Sequence, residues 1–93
     1  MSRPRRYSWT EAKRVINRER HQIDFNAAND FDWSTALLIP DLRRDYGETR
    51  IVAFGKIADR LHVLVYTPRG PVTHIISLRK ANEREIRKYE ANS

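Results

Sequence analysis

Three strand-length runs in the second half of the chain, residues 50–57, 60–67 and 72–79, follow one another almost without interruption, and a charged segment comes directly after them. Strands joined by connections that short pair antiparallel, since a parallel pair needs a long crossover. Alternation then splits each strand into two faces. In the middle run Leu61, Val63, Val65 and Thr67 point one way, and Arg60, His62, Leu64 and Tyr66 point the other. The last run divides into Val72, His74, Ile76 and Leu78 against Thr73, Ile75, Ser77 and Arg79. A two-residue turn at Arg69-Gly70 pairs 68 with 71 and brings the two apolar sets onto one face. The opposite face is left open and polar, more so than a purely structural sheet requires.

The first half reads as helical. Ser8 followed three residues later by Glu11 forms a capping box, and Trp9, Ala12, Val15 and Ile16 make an apolar stripe at helical spacing. Arg20 and His21 at its end suit the negative pole of the helix dipole. Asp24 caps a second, short helix whose Phe25, Ala28 and Phe31 face the core. A first strand covers 35–39 and stops at Pro40; residues 41–49 are a loop, and a last helix covers about 80–91. The order ααββββα predicts an α+β class, a four-stranded antiparallel sheet packed against helices. With 93 residues, the chain is expected to be one domain, 1–93, burying about 60–65% of its unfolded surface. Residues 1–6, with Arg3, Arg5 and Arg6, read as a flexible basic arm.

Composition removes several classes of function. There is no cysteine, so neither a disulfide frame nor a thiolate metal site is available. No apolar run reaches the roughly 20 residues of a membrane-spanning helix, which predicts a cytoplasmic protein. Gly47, Gly55 and Gly70 are scattered and form no phosphate loop; His21, His62 and His74 have no ligand spacing, and no Gly-x-Ser-x-Gly elbow occurs. Neither a metal nor a cofactor is expected. The formal net charge is +6, and residues 1–20 alone carry seven cations against two glutamates. Fourteen of the eighteen cations are Arg, the side chain suited to bidentate recognition of phosphate or carboxylate.

What remains is a surface of Arg, His, Tyr and Ser, and metal-free RNA cleavage uses these types. The ribose 2′-OH attacks the adjacent phosphorus, one group takes a proton, another gives one, and cations stabilise the phosphoryl oxygens. His exchanges protons near neutral pH, Arg holds phosphate, and Tyr stacks on a base. The same surface also suits a basic RNA- or protein-binding module, and the residues alone leave that choice open. Each candidate has a plain structural role as well: His21 as a helix-end cap, His74 as a core-edge residue, Arg50 and Arg79 as ion-pair partners of Glu83 or Glu85, and Tyr66 and Tyr89 as half-buried anchors.

From Tyr7 to about Glu90 the chain resembles the BrnT family of toxins from bacterial type II toxin–antitoxin modules. Tyr7-x-Trp9 with Glu11-Ala12-Lys13 is similar to the family's aromatic-x-Trp-Asp-Glu-Ala-Lys opening, and Asn17 with Arg20-His21-x-Ile23-x-Phe25 to its Asn-x-x-Lys-His-x-Ile-x-Phe element. Arg50 with Gly55 resembles a Glu-x-Arg run ending in Gly, followed by Val65-Tyr66-Thr67-x-Arg69. Ile75-Ile76-Ser77-x-Arg79-x-Ala81, with Glu85 and Tyr89 beyond, is similar to the Ile-Ile-Ser-Ala-Arg-x-Ala signature. Three departures stand out: Arg20 replaces a Lys, His74 replaces an Arg with a group whose charge depends on pH, and Leu78 replaces a small residue. His62 falls at an apolar family position and is set aside.

The resemblance implies a RelE-like fold and a metal-independent endoribonuclease that halts translation. It also implies a BrnA-type antitoxin with a ribbon-helix-helix domain, two toxins per antitoxin dimer, and contact with operator DNA through that antitoxin. With the residue chemistry, it places His21, Arg50, His74 and Arg79 in the catalytic group and Arg20, Tyr66, Thr67 and Ser77 on the RNA. The alternative is a non-catalytic protein of the same fold, acting as an antitoxin-bound co-regulator or an RNA-binding module.

Overall fold

The computed structural model describes residues 5–92, so the first four residues of the expected flexible arm lie outside it. The elements are β1 (Arg6–Ser8), α1 (Glu11–His21), a 3-10 helix (Phe25–Asp30), β2 (Leu37–Pro40), β3 (Ile51–Ile57), β4 (Arg60–Arg69), β5 (Val72–Lys80) and α2 (Glu83–Ala91). The α+β class is as the alternation and helical spacing predicted. The sheet, however, has five strands rather than four, in the order β1-β5-β4-β3-β2. The extra strand is β1, a three-residue segment that runs parallel to β5 and pairs Ser8 with His74. Arg6 thus belongs to the sheet, and Arg5 stacks 3.7 Å from the centre of the Trp33 ring while donating to Thr73 Oγ1 at 3.1 Å.

Two local choices correct the sequence reading of the hairpin. The turn is Gly70-Pro71 instead of Arg69-Gly70, so Arg69 pairs with Val72. Gly70 supplies the positive φ, +56°, and Pro71 lacks the N–H that a paired strand position would need. That slip of two residues leaves every face unchanged. The ladder then shifts between Val65 and Tyr66: Tyr66 pairs with Ile75, but Val65 pairs with Ser77, leaving Ile76 as an extra residue. A bulge reverses which side the following residues take. Leu78 therefore joins Leu64 and Ile75 on one face, while Ser77 and Arg79 turn to the face of Val65 and Val63.

Neither face is open along its whole length. On the first, Phe25, Ala28 and Phe31 pack on Ala53, Leu64, Tyr66, Ile75 and Leu78. Phe25, Leu64, Ile75 and Leu78 are fully buried, each contributing about 1.5–3 kcal/mol of transfer energy. Gly55 makes this packing feasible, since a Cβ there would overlap the Phe31 ring. On the second face Phe54, Leu61 and Val63 meet Ala81 and Tyr89 of the C-terminal segment. The Tyr89 hydroxyl donates to Thr35 O at 2.8 Å and ties α2 to the approach to β2. That helix starts at Glu83, after Lys80 has ended β5, and Asn82 with Glu85 forms its capping box.

The N-cap of α1 is Thr10, whose hydroxyl accepts from Lys13 N, so Ser8 is not the cap predicted for it. The expected apolar stripe is not the buried face either: Val15 and Ile16 are each 43% exposed. The residue α1 buries is Asn17. Its amide donates to Ile23 O at 3.0 Å and Leu78 O at 2.8 Å, and it accepts from Leu78 N at 3.0 Å. Beyond His74 the edge of β5 has no strand partner among the described residues, and Asn17 supplies the missing donor and acceptor there. This contact fixes the end of α1 against the bulged part of β5.

Candidate functional site

Two clusters collect most of the candidate residues. The first lies where α1 ends beside β5. Lys13, Asn17 and Arg20 recur at helical spacing on one side of α1, and with His21, Ile76 and Ser77 they line a cavity of about 230 Å3. His21 is half-buried, and Arg20 is exposed. The bulge at Ile76 brings Ser77 into this cavity from 56 positions further along the chain than His21. No described residue pairs its carboxylate with Arg20 or Lys13.

The second cluster is a row across the second face. Ser8, His74 and Thr67 are register partners on β1, β5 and β4, and Arg50, just ahead of the Ile51–Tyr66 pair, continues the row. Ser8 Oγ lies 2.8 Å from His74 Nδ1, and among the described residues no other side chain bonds the ring. His74 is 7% exposed, and burial with the nearby Arg69 holds its pKa below the ordinary histidine value, although Glu48 opposes this. Burial thus favours the neutral imidazole over the charged form at this position. Thr67 is 1% exposed, and its Oγ1, like Arg50 Nε, is buried with no hydrogen-bond partner among the described residues.

Arg50 is held by a ring. Its guanidinium carbon sits 3.8 Å from the centre of Tyr46, and the Tyr46 hydroxyl donates to Asp41 at 3.0 Å. Arg43 also donates to Asp41, at 2.9 Å from both Nε and Nη2, and keeps that carboxyl well below the usual carboxylate range. Asp41 N closes the loop onto Arg50 O at 2.8 Å.

Arg79 is differently placed. It donates through Nη1 and Nη2 to the two oxygens of Glu85, at 2.8 and 2.7 Å. The pairing raises the Arg79 pKa and lowers that of Glu85. Both line a cleft of about 380 Å3 between β2 and α2, floored by Val52 and Val65. The ion-pair role considered for Arg79 is thus realised, with Glu85 and not Glu83. Tyr66 takes the anchor role and not the RNA contact. It is 5% exposed on the first face, edge-on to Trp33 at 5.4 Å, and cannot reach RNA from there.

Lys13, Tyr46 and Ser8 escaped the sequence reading of the site. Lys13 had a signal, since it shares a helix face with Arg20. Tyr46 had none, because its stack on Arg50 arises from the path of a loop. Ser8 was read as a helix cap, and its pairing with His74 spans 66 positions. Among the described residues no three His, Asp or Glu side chains come close enough to hold a metal ion.

An α+β sheet that gathers histidine, arginine and hydroxyl groups at two places has the side chains needed to handle a phosphodiester. The family model for the ribonuclease toxin BrnT of type II toxin–antitoxin systems matches residues 9–85, and the chain belongs to this family. It is a ribonuclease toxin whose module includes an antitoxin. No curated protein matches the chain.

Proposed function

We propose that this chain is a single toxin domain of RelE-like fold that cleaves RNA without a metal ion at the cavity between α1 and β5. The observation that carries the reading is the meeting of His21, Arg20, Lys13 and Ser77 in that cavity. His21 exchanges the proton of the attacking 2′-OH or of the leaving oxygen, a role typically worth about 10²–10⁴ in rate. Arg20 and Lys13 hold the phosphoryl oxygens as charge develops, and Ser77 hydrogen-bonds the backbone. Arg79 joins them once RNA phosphate competes for the guanidinium that Glu85 holds, and Arg50 binds the strand nearby, while the buried Thr67 and His74 support the sheet behind it instead of touching RNA. Cleavage of cytoplasmic RNA in this way halts translation.

The antitoxin in this reading is BrnA-type, with a ribbon-helix-helix domain, and each antitoxin dimer carries two toxins to operator DNA. An acidic segment suits the Arg-rich surface it must cover.

The test is cleavage of RNA by the purified, antitoxin-free protein with EDTA present. Full activity is expected. Activity lost on chelation and restored by a divalent ion would overturn the mechanism.

A further inference from the structure

The loop between β2 and β3 contains a second arrangement of cations that differs from the ion pairs elsewhere. Tyr46 lies beneath the Arg50 guanidinium at 3.8 Å, and the Arg44 guanidinium is 5.3 Å from the same ring. Among the described residues neither arginine has a carboxylate partner, whereas Arg14, Arg43, Arg69 and Arg79 each have one. Arg44, Tyr46 and Arg50 line one cleft of about 520 Å3. Its carboxylates are already engaged: Asp41 by Arg43 and Tyr46, Glu48 by Arg69 at 3.3 Å, and Asp45 by the Gly47 N–H at 2.9 Å.

Stacking on a ring positions a guanidinium without using its N–H donors, which a carboxylate partner would occupy. We propose that Arg44 and Arg50, positioned by Tyr46, form a clamp for a backbone phosphate of the RNA, outside the His21 cavity. Tyr46 is the positioning residue, and it is the ring, not the hydroxyl, that presents Arg50 to the cleft. The buried Arg50 Nε has no hydrogen-bond partner among the described residues, so the stack on Tyr46 is what sets this guanidinium in place. The clamp rests on the reading of this chain as an RNA-cleaving protein, but it concerns binding, and binding can be measured without cleavage.

The probe is a single-stranded 2′-O-methyl RNA oligomer, whose blocked 2′-oxygen prevents cleavage. Tyr46→Leu should weaken its binding about five- to tenfold, and on cleavable RNA should raise KM by a similar factor with kcat within about twofold. Tyr46→Phe keeps the ring and should stay within about twofold of the parent. Arg44→Gln should reduce the slope of log affinity against log salt by about 0.7, one phosphate contact on a single strand. Unchanged binding in Tyr46→Leu, or an equal loss in Tyr46→Phe, would overturn the positioning role. If Tyr46→Leu does not fold, Arg44→Gln decides alone, and an unaltered slope sinks the clamp. Binding of an acidic peptide in place of the oligomer would also sink it, by making the cleft a protein contact. A parent protein that binds the oligomer in a Tyr46-dependent way yet cuts no RNA would retain the clamp and refute the cleavage reaction.

Discussion

At the end of α1, Arg20 is open to solvent and His21 is half-covered beside a cavity; across the second sheet face, Thr67 and His74 retain 1% and 7% of their exposure. Both regions draw on histidine, hydroxyl and arginine, yet among the described residues the first leaves Arg20 without a carboxylate partner and the second holds its groups in place. Ser8 fixes His74, Tyr46 fixes Arg50, and the sheet ladder fixes Thr67. A group that must pass protons to substrate needs access, whereas a group that binds needs a set position. The difference argues for chemistry at the α1 end and for binding and support across the sheet.

The largest effect should come from His21→Ala, which should lower kcat by about 10²–10⁴ and leave affinity for the uncleavable oligomer within about twofold. A smaller loss than from His74→Ala in the same assay would reverse the division of labour. Next comes Asn17→Ala, which removes two buried hydrogen bonds at the α1–β5 contact and a part-buried one to Ile23 O, and leaves Leu78 N–H and C=O without those partners. It should cost about 2–4 kcal/mol in denaturant unfolding, with activity falling before the fold is lost. Stability equal to the parent's would mean that water replaces the amide and that α1 is held by other contacts.

Glu85→Gln tests the saturated arginine. A glutamine oxygen can still accept from Asn82 N, so the cap survives while the ion pair with Arg79 is lost. A stability loss of about 1–2 kcal/mol is expected, with tighter RNA binding as Arg79 is released. Weaker binding would show that Glu85 positions Arg79 instead of withholding it.

The smallest effect concerns pH. Burial depresses the His74 pKa in the folded state, so between that value and the unfolded value near 6.5 the unfolded chain binds more protons. Stability is therefore complete above about pH 6.5 and falls as acidification passes through the folded pKa. His62, buried and bonded through Nδ1 to Arg60 O, shifts in the same direction. His74→Gln should flatten part of this slope in unfolding measured from pH 7.5 to 5, and the His62 contribution should persist. An unaltered slope would remove His74 as its source.

Elements whose signal is local were legible. The three long strands, the capping of the 3-10 helix by Asp24, the burial of Phe25, Ala28 and Phe31, and the end of α1 at His21 all follow from alternation, helical spacing and capping chemistry. The short parallel strand was not, because three residues at Arg6–Ser8 have no periodicity, and a Ser three positions before a Glu also reads as a cap. Of the site, Arg20, His21 and Ser77 were named from residue type and family pattern, but nothing local said that they share a cavity. Tyr66 was misplaced because the face reading of the sheet assumed that one side would remain open.

The amino-acid sequence by itself determined which segments are strands and helices, which side chains have the chemistry for a phosphodiester, and the family the chain resembles. Those are properties of single residues and short spacings, and they do not depend on what lies across the molecule. The tertiary structure decided the rest. One extra residue at Ile76 reversed the faces of Ser77, Leu78 and Arg79, Asn17 took the place of a strand at the β5 edge, and a loop carried Tyr46 under Arg50. Each of these contacts joins residues whose proximity is set by register and packing, and a one-residue change in register moves a side chain to the other face of a sheet.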